Sequence, residues 1–456
     1  MVCLPNRIVG DAHTSTRGWQ LVEALADLRD RMPGSEGERA GADLVAKQFE
    51  EIGLDTVSTT EFPIPGWERN AASVSVDDHN LFERSHEVVA LPGTPAETAS
   101  AELIDMGYAL PEDFDGVDLE GKIVMASSLT PDDYGRWVHR GEKYSYAIEA
   151  GAAGFIFTNH IEGCLPPTGS IGDRNGPGAI PAVGVSKEVG DRIERYCRDE
   201  TTEATIAVDC QNTEATSRNI EATVGPDTDE EVLFTAHVDA HDIGDGANDN
   251  GVGCALVTAV GRLLKQIEDD LETRVRVVIF GAEETGLYGS YYWTHTHDLD
   301  RVKCVLNMDG AGYSRNLSIH THGFDAIGEA FEEVSEEFGV PIDVESGIRP
   351  HSDHWPFVQR GIPGAQGRTT ADGSGRGWGH THGDTLDKLD IRDLREISVL
   401  LTAGVVKLSE TSRQIERVDD AEIRDATEEQ RFAVGMKATD DWPWGDEVRV
   451  WPWDNA

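Results

Sequence analysis

The stretch at residues 232–251, VLFTAHVDAHDIGDGANDNG, constrains this chain more than any other. Val232 to Ala236 are β-favouring or apolar and read as a buried strand. The strand runs out at His237 and Asp239, and a loop of glycine, aspartate and asparagine follows, ending at Asp249. From Asn250 or Gly251 onward, NGVGCALVTAVGRLLKQI takes up helical spacing. In an open α/β sheet, the loops leaving the carboxyl ends of the strands form the crevice where ligands bind. One strand–loop–helix unit thus brings an imidazole and two carboxylates to that edge, enough to begin a metal site.

The pattern recurs downstream. RVRVVIFGAEETGLYGS is a buried strand that delivers Glu283 and Glu284 at its carboxyl end, and VKCVLNMDGAG delivers Asp309 in the same way. HSDHWPF (351–357) and WGHTHGDTLDKLD (378–390) supply histidines in loops, and a long helix over 391–412 closes the body. His237, Asp249, Glu284, Asp309 and a histidine of the Gly379 loop make a set of imidazoles and acids. Two divalent ions bridged by one carboxylate, about 3.5–4 Å apart, need about this set to activate a water and stabilise an oxyanion. Glu283, beside Glu284, is then free to take the water's proton and return it to a leaving amine.

The rest of the chain divides around this body. Helical spacing is expected over 16–32 and 35–52, and strand-like runs broken by Pro63, Pro65 and Gly66 over 54–89. Residues 91–212 change to short strands and many glycines. Within them GKIVMASSL, KYSYAIEAGAAGFIFTNH and IPAVGVSKEVGDRI occur in an order that resembles the protease-associated domain, a small β-rich insert of several peptidases. No nucleophile or ligand cluster appears there, so the insert reads as a lid or spacer. The domain plan is 1–90 and 213–412 for the body, 91–212 for the insert and 413–456 for an acidic tail. That tail ends WPWGDEVRVWPWDNA, and its four tryptophans are expected to pack on the body or to build a homo-oligomer.

Composition narrows the partners. A formal net charge of −45 repels nucleic acid and anionic membrane, so neither is expected. The acids are dispersed and lysine is scarce, which suggests a halophilic surface. Six cysteines (Cys3, Cys164, Cys197, Cys210, Cys254, Cys304) lack metal spacing and read as reduced thiols. With no signal-like leader and no apolar run of about 18 residues, a soluble, cytoplasmic protein is expected.

HVDAHDIGDGANDNG, FGAEETGLYGS, NMDGAG, SDHWPF and GHTHGDT are together similar to the five motif blocks of the co-catalytic di-zinc exopeptidases. That family includes bacterial leucyl aminopeptidases, glutamate carboxypeptidase II and plasma glutamate carboxypeptidase. The resemblance implies an α/β three-layer sandwich with a mostly parallel central sheet. It also implies two zinc ions, with cobalt or manganese as alternatives. His237 and Asp309 would hold one zinc, Glu284 and His380 the other, with Asp249 bridging and Glu283 as general base. Asp239 would orient His237 through its other ring nitrogen. A cis peptide is implied after Asp249. The family pattern selects His380, with Asp384 and Thr385 following, although His382 stands two residues away. Other copies of His-Thr-His begin at His295 and His320 and read as surface or cleft-lining residues. Asp353 and His354 could serve substrate or the loop itself.

The expected activity is hydrolysis of terminal peptide bonds by an aminopeptidase or dipeptidase acting on peptide substrates. Rival readings are a carboxypeptidase of the glutamate type, a single-zinc glutaminyl cyclase, and a receptor-like relative without catalysis.

Overall fold

A strand whose side chains are nearly all apolar must be covered on both faces, and Glu231–His237 is buried along its whole length. It pairs in parallel with Arg274–Phe280 on one side and Val302–Met308 on the other. Gly364–Thr369 continues the parallel set beyond Val302–Met308. Leu317–His320 then runs antiparallel, with Asp343–Glu345 parallel to it at the edge. On the other flank, Arg274–Phe280 pairs antiparallel with the end of Glu203–Val224. The register sets Phe280 beside His237 and Asn307 beside Thr235, so three parallel strands end at one edge.

Leu233, Val278, Phe280 and Val305 point to one face and pack under Trp293 and Phe357. The opposite face, with Phe234 and Val277, is covered by the helices Val252–Lys265 and Ile391–Ser409. Burying each such side chain contributes about 1.5–3 kcal/mol. Layers on both faces give the expected α/β sandwich with a mostly parallel sheet.

In the computed structural model the described residues are 4–77, 80–172, 176–198, 201–370, 377–445 and 450–455. Cys3 and residues 446–449 of the tail lie outside them. The other five cysteines are free thiols. The chain forms two compact units. The first comprises Met1–Phe62, Thr216–Asp372 and Asp384–Thr427; the second comprises Pro63–Ala215, Gly373–Gly383 and Glu428–Ala456. Among the described residues, no helix is long and apolar enough to cross a membrane.

The second unit has its own sheet, with Thr98–Asp105, Ile123–Ser127, Gly154–Thr158 and Ala182–Val185 paired in parallel and Val88–Ala90 antiparallel at the edge. Tyr144, Phe155 and Phe157 lie in its core. The tail helix Phe432–Ala438 packs on Arg140–Glu149, beside a buried bidentate Arg136–Glu142 pair. The tail's tryptophans pair among themselves, Trp442 with Trp444 at 4.8 Å and Trp451 with Trp453 at 4.9 Å between ring centroids.

Two sequence expectations change. The helix expected over 16–32 ends at Ala26, because Arg31 turns back and donates to the Leu25 carbonyl at 2.7 Å. A further helix, Asn6–Thr14, precedes it. The strand-like runs after residue 54 are a single strand, Asp55–Val76, which continues through Pro63 and Pro65. It is an edge strand over most of its length, and an edge tolerates the missing proline N–H.

Candidate metal centre

The carboxyl ends of the three parallel strands gather the acids and an imidazole in the first unit. His237 is fully buried, and its Nε2 lies 3.3 Å from Asp249 Oδ1 and 3.8 Å from Asp309 Oδ1. Donor atoms of His237, Glu283 and Asp309 all lie within 4.8 Å of one another. His237 Nε2 has no hydrogen-bond partner, and a buried polar atom left so is costly. Burial opposes charge on this imidazole, yet Glu283, Asp239, Asp249 and Asp309 raise its pKa well above the ordinary value. A ring nitrogen facing carboxylate oxygens is the donor set that divalent zinc takes.

The other ring nitrogen of His237 sits 3.1 Å from the main-chain carbonyl of Asp239 and 3.6 Å from its carboxylate. Orientation of the ring therefore comes from the Asp239 backbone. The Asp239 carboxylate does something else: its two oxygens accept the backbone N–H groups of Glu283 and Glu284 at 3.1 and 3.0 Å. Burial, with Asp309, Glu284 and Asp353 nearby, raises the Glu283 pKa well above the carboxylate range despite His237.

Asp249 follows a tight turn. Gly246 has φ +55°, and a Cβ there would stand 2.3 Å from the Ala240 side chain, so glycine is required. The Asp249–Asn250 peptide is cis. The backbone N–H groups of Asn248 and Asp249 donate to Asp384 at 2.9 and 3.0 Å, and Asn250 donates from its amide to the Met308 carbonyl at 2.8 Å. Asp384, pushed up to about 7 by burial and by Asp249, also accepts from Tyr313 at 3.1 Å.

Glu284 is buried, and its Oε2 lies 2.9 Å from His241 Nε2. Sequence reasoning passed over His241, although it stands four residues after His237 in the same loop. It also passed over Arg31, Glu38 and Gln366. Arg31, buried, donates to the carbonyls of Leu25, Val238, Asp245 and Gly246. Glu38 accepts from Gly34, Ser217 and Ala282. Gln366 reaches Asp309 at 3.4 Å. Nothing in a one-dimensional pattern pairs Arg31 with a loop some two hundred residues away.

Of the remaining histidines, His354 Nε2 lies 2.9 Å from the Arg349 carbonyl and its ring packs on His322. His320 pairs with Glu345 at 3.2 Å, His295 is exposed, and His297 stacks on Trp293. Asp353 is buried near the acids, which with burial push it up to about 8. His380 and His382 belong to the second unit. There His382 Nε2 lies 2.7 Å from the Ser85 carbonyl, while His380 is buried with φ +55° and its carbonyl accepts from Thr168 at 2.8 Å.

An open, mostly parallel sheet that presents imidazole and carboxylate donors at its carboxyl edge has the make-up of a metal-dependent hydrolase. Residues 219–405 match the model of Peptidase family M28, and residues 86–193 that of the PA domain. The chain is 29% identical over 430 residues to Aminopeptidase YwaD of Bacillus subtilis, covering 90% of this chain and 88% of that protein. It is 30% identical over 371 residues to Leucine aminopeptidase 2 of Trichophyton equinum, covering 76% and 70%. The structure of BSAP, a zinc aminopeptidase from Bacillus subtilis, superposes with a TM-score of 0.68 at 25% identity, covering 91% of this chain and 99% of that one. The chain belongs to peptidase family M28 and carries a PA domain.

Proposed function

We propose that this chain is a zinc-dependent aminopeptidase working with two metal ions. One observation carries the reading: the buried His237 Nε2, without a hydrogen-bond partner, faces Asp249 and Asp309 with Glu283 in the same donor group. The aminopeptidase relatives and the zinc aminopeptidase structure support it. His237 and Asp309 would hold one ion, Glu284 and His380 the other, and Asp249 would bridge. When bound, the ions polarise the scissile carbonyl and lower the pKa of water.

Glu283 takes the proton of the attacking water and passes it to the departing amine. Its partial exposure gives that proton a route, and Asp239 holds its backbone in place. Asp384 keeps the Asp249 turn rigid through two backbone bonds.

The test joins metal analysis to hydrolysis of leucyl p-nitroanilide and of an amino-terminally blocked peptide. Two zinc ions per chain are expected, with activity lost on chelation and restored by zinc. Glu283→Gln should keep the zinc and lower kcat about 10²–10⁴-fold. Equal cleavage of the blocked peptide, or wild-type turnover by Glu283→Gln, would overturn the reading.

A further inference from the structure

The pocket holds one imidazole beyond the set that the two-ion reading uses. His241 and Glu284 are both buried, with side chains 4% and 2% exposed, and His241 Nε2 lies 2.9 Å from Glu284 Oε2. The two come from separate strand ends: His241 from the loop after Glu231–His237, Glu284 from the turn after Arg274–Phe280.

We infer that His241 is a metal ligand alongside Glu284, so that the two ions together take three imidazoles; this rests on the two-zinc reading above. Zinc–nitrogen and zinc–oxygen bonds of about 2.0–2.2 Å set two donors on one ion about 3 Å apart. The observed separation of His241 and Glu284 is of that size. Charge argues the same way. Asp239, Glu283, Glu284, Asp353 and Asp384 crowd this end of the sheet, most of them buried, and buried carboxylates persist as anions only with cations beside them. An imidazole is a neutral donor, so it adds a bond to a cation without adding another negative charge to this crowded pocket.

A simple hydrogen bond from His241 to Glu284 would span the same distance, and the experiment separates the two. X-ray absorption at the zinc edge counts imidazoles on the bound ions through their outer-shell scattering. For the purified full chain loaded with two zinc ions, three imidazoles per pair are expected, and two in His241→Ala. The dissociation constant of one ion, read by chelator competition, should rise about 10–100-fold in the variant while the other stays unchanged. His241→Gln, which keeps the bulk and a hydrogen-bond donor, guards against loss of folding and should give the same count of two. Two imidazoles per pair in the unaltered chain would overturn the inference and leave the two-zinc reading standing. Fewer than two zinc ions bound would overturn the two-zinc reading, and this inference with it.

Discussion

Asp239 holds Glu284 by its backbone: Oδ2 accepts the Glu284 N–H at 3.0 Å while Oδ1 accepts that of Glu283 at 3.1 Å. A residue at the end of one strand thereby fixes the turn after its neighbour, and with it the direction of two acid side chains. Asp239→Asn exchanges one acceptor oxygen for an amine and leaves one of these N–H groups facing a donor. A loss of about 10–100-fold in kcat or in zinc affinity is expected, together with about 1–3 kcal/mol of stability. Steady-state kinetics and denaturant melts of the same variant check both. Unchanged values would remove Asp239 from any positioning role.

Arg31 ties the loop that carries Asp249 to the first helices through four carbonyls. Arg31→Met keeps much of the bulk but leaves those carbonyls without their cationic donor. A loss of about 3 kcal/mol or more is expected, read as a lower urea midpoint at unchanged slope. Arg31→Lys should recover only part, because an ammonium cannot match the planar fork of donors.

Glu221 gives a pH test away from the metal centre. Burial would raise its pKa, but His297 at 3.5 Å, Arg276 at 3.2 Å and the Trp293 indole at 3.0 Å hold it down to about 2. The folded pKa is depressed, so the unfolded chain binds more protons over this range and the stabilisation is full above about pH 4.5. It is lost as pH falls toward 2. Glu221→Gln should cost about 3 kcal/mol at pH 7, with the difference shrinking to nothing near pH 2. A pH-independent difference between the two proteins would contradict this assignment.

A formal net charge of −45 should make stability depend on salt. The Debye length shrinks from about 8 Å at 0.15 M to about 3 Å at 1 M, which screens repulsion between dispersed surface acids. The melting temperature is expected to climb between 0.15 and 2 M potassium chloride. A flat profile would show that the acidic surface carries no such cost.

Periodic and local features were legible in the sequence. Apolar runs at 232–236 and 275–280 place buried strands, and chemistry-bearing residues directly after each run place acids and an imidazole at one sheet edge. Pro63 and Pro65 misled, because a proline's cost depends on whether its N–H faces a partner, which only sheet position decides. The helix expected over 16–32 was overrun for a related reason: Arg31 satisfies the Leu25 carbonyl from outside.

The sequence by itself determined the strand order of chemistry: His237, Asp249, Glu283, Glu284 and Asp309 follow apolar segments that can only be interior. Only the tertiary structure decided how each side chain is used. It gave the Asp239 carboxylate to the Glu283 and Glu284 backbones instead of the His237 ring, set His241 against Glu284, and buried Arg31 under the Asp249 loop. Hydrophobic spacing is written along the chain and survives in one dimension. Hydrogen-bond partners are chosen by what folding brings within about 3 Å, and residues hundreds of positions apart carry no mark of that in their order.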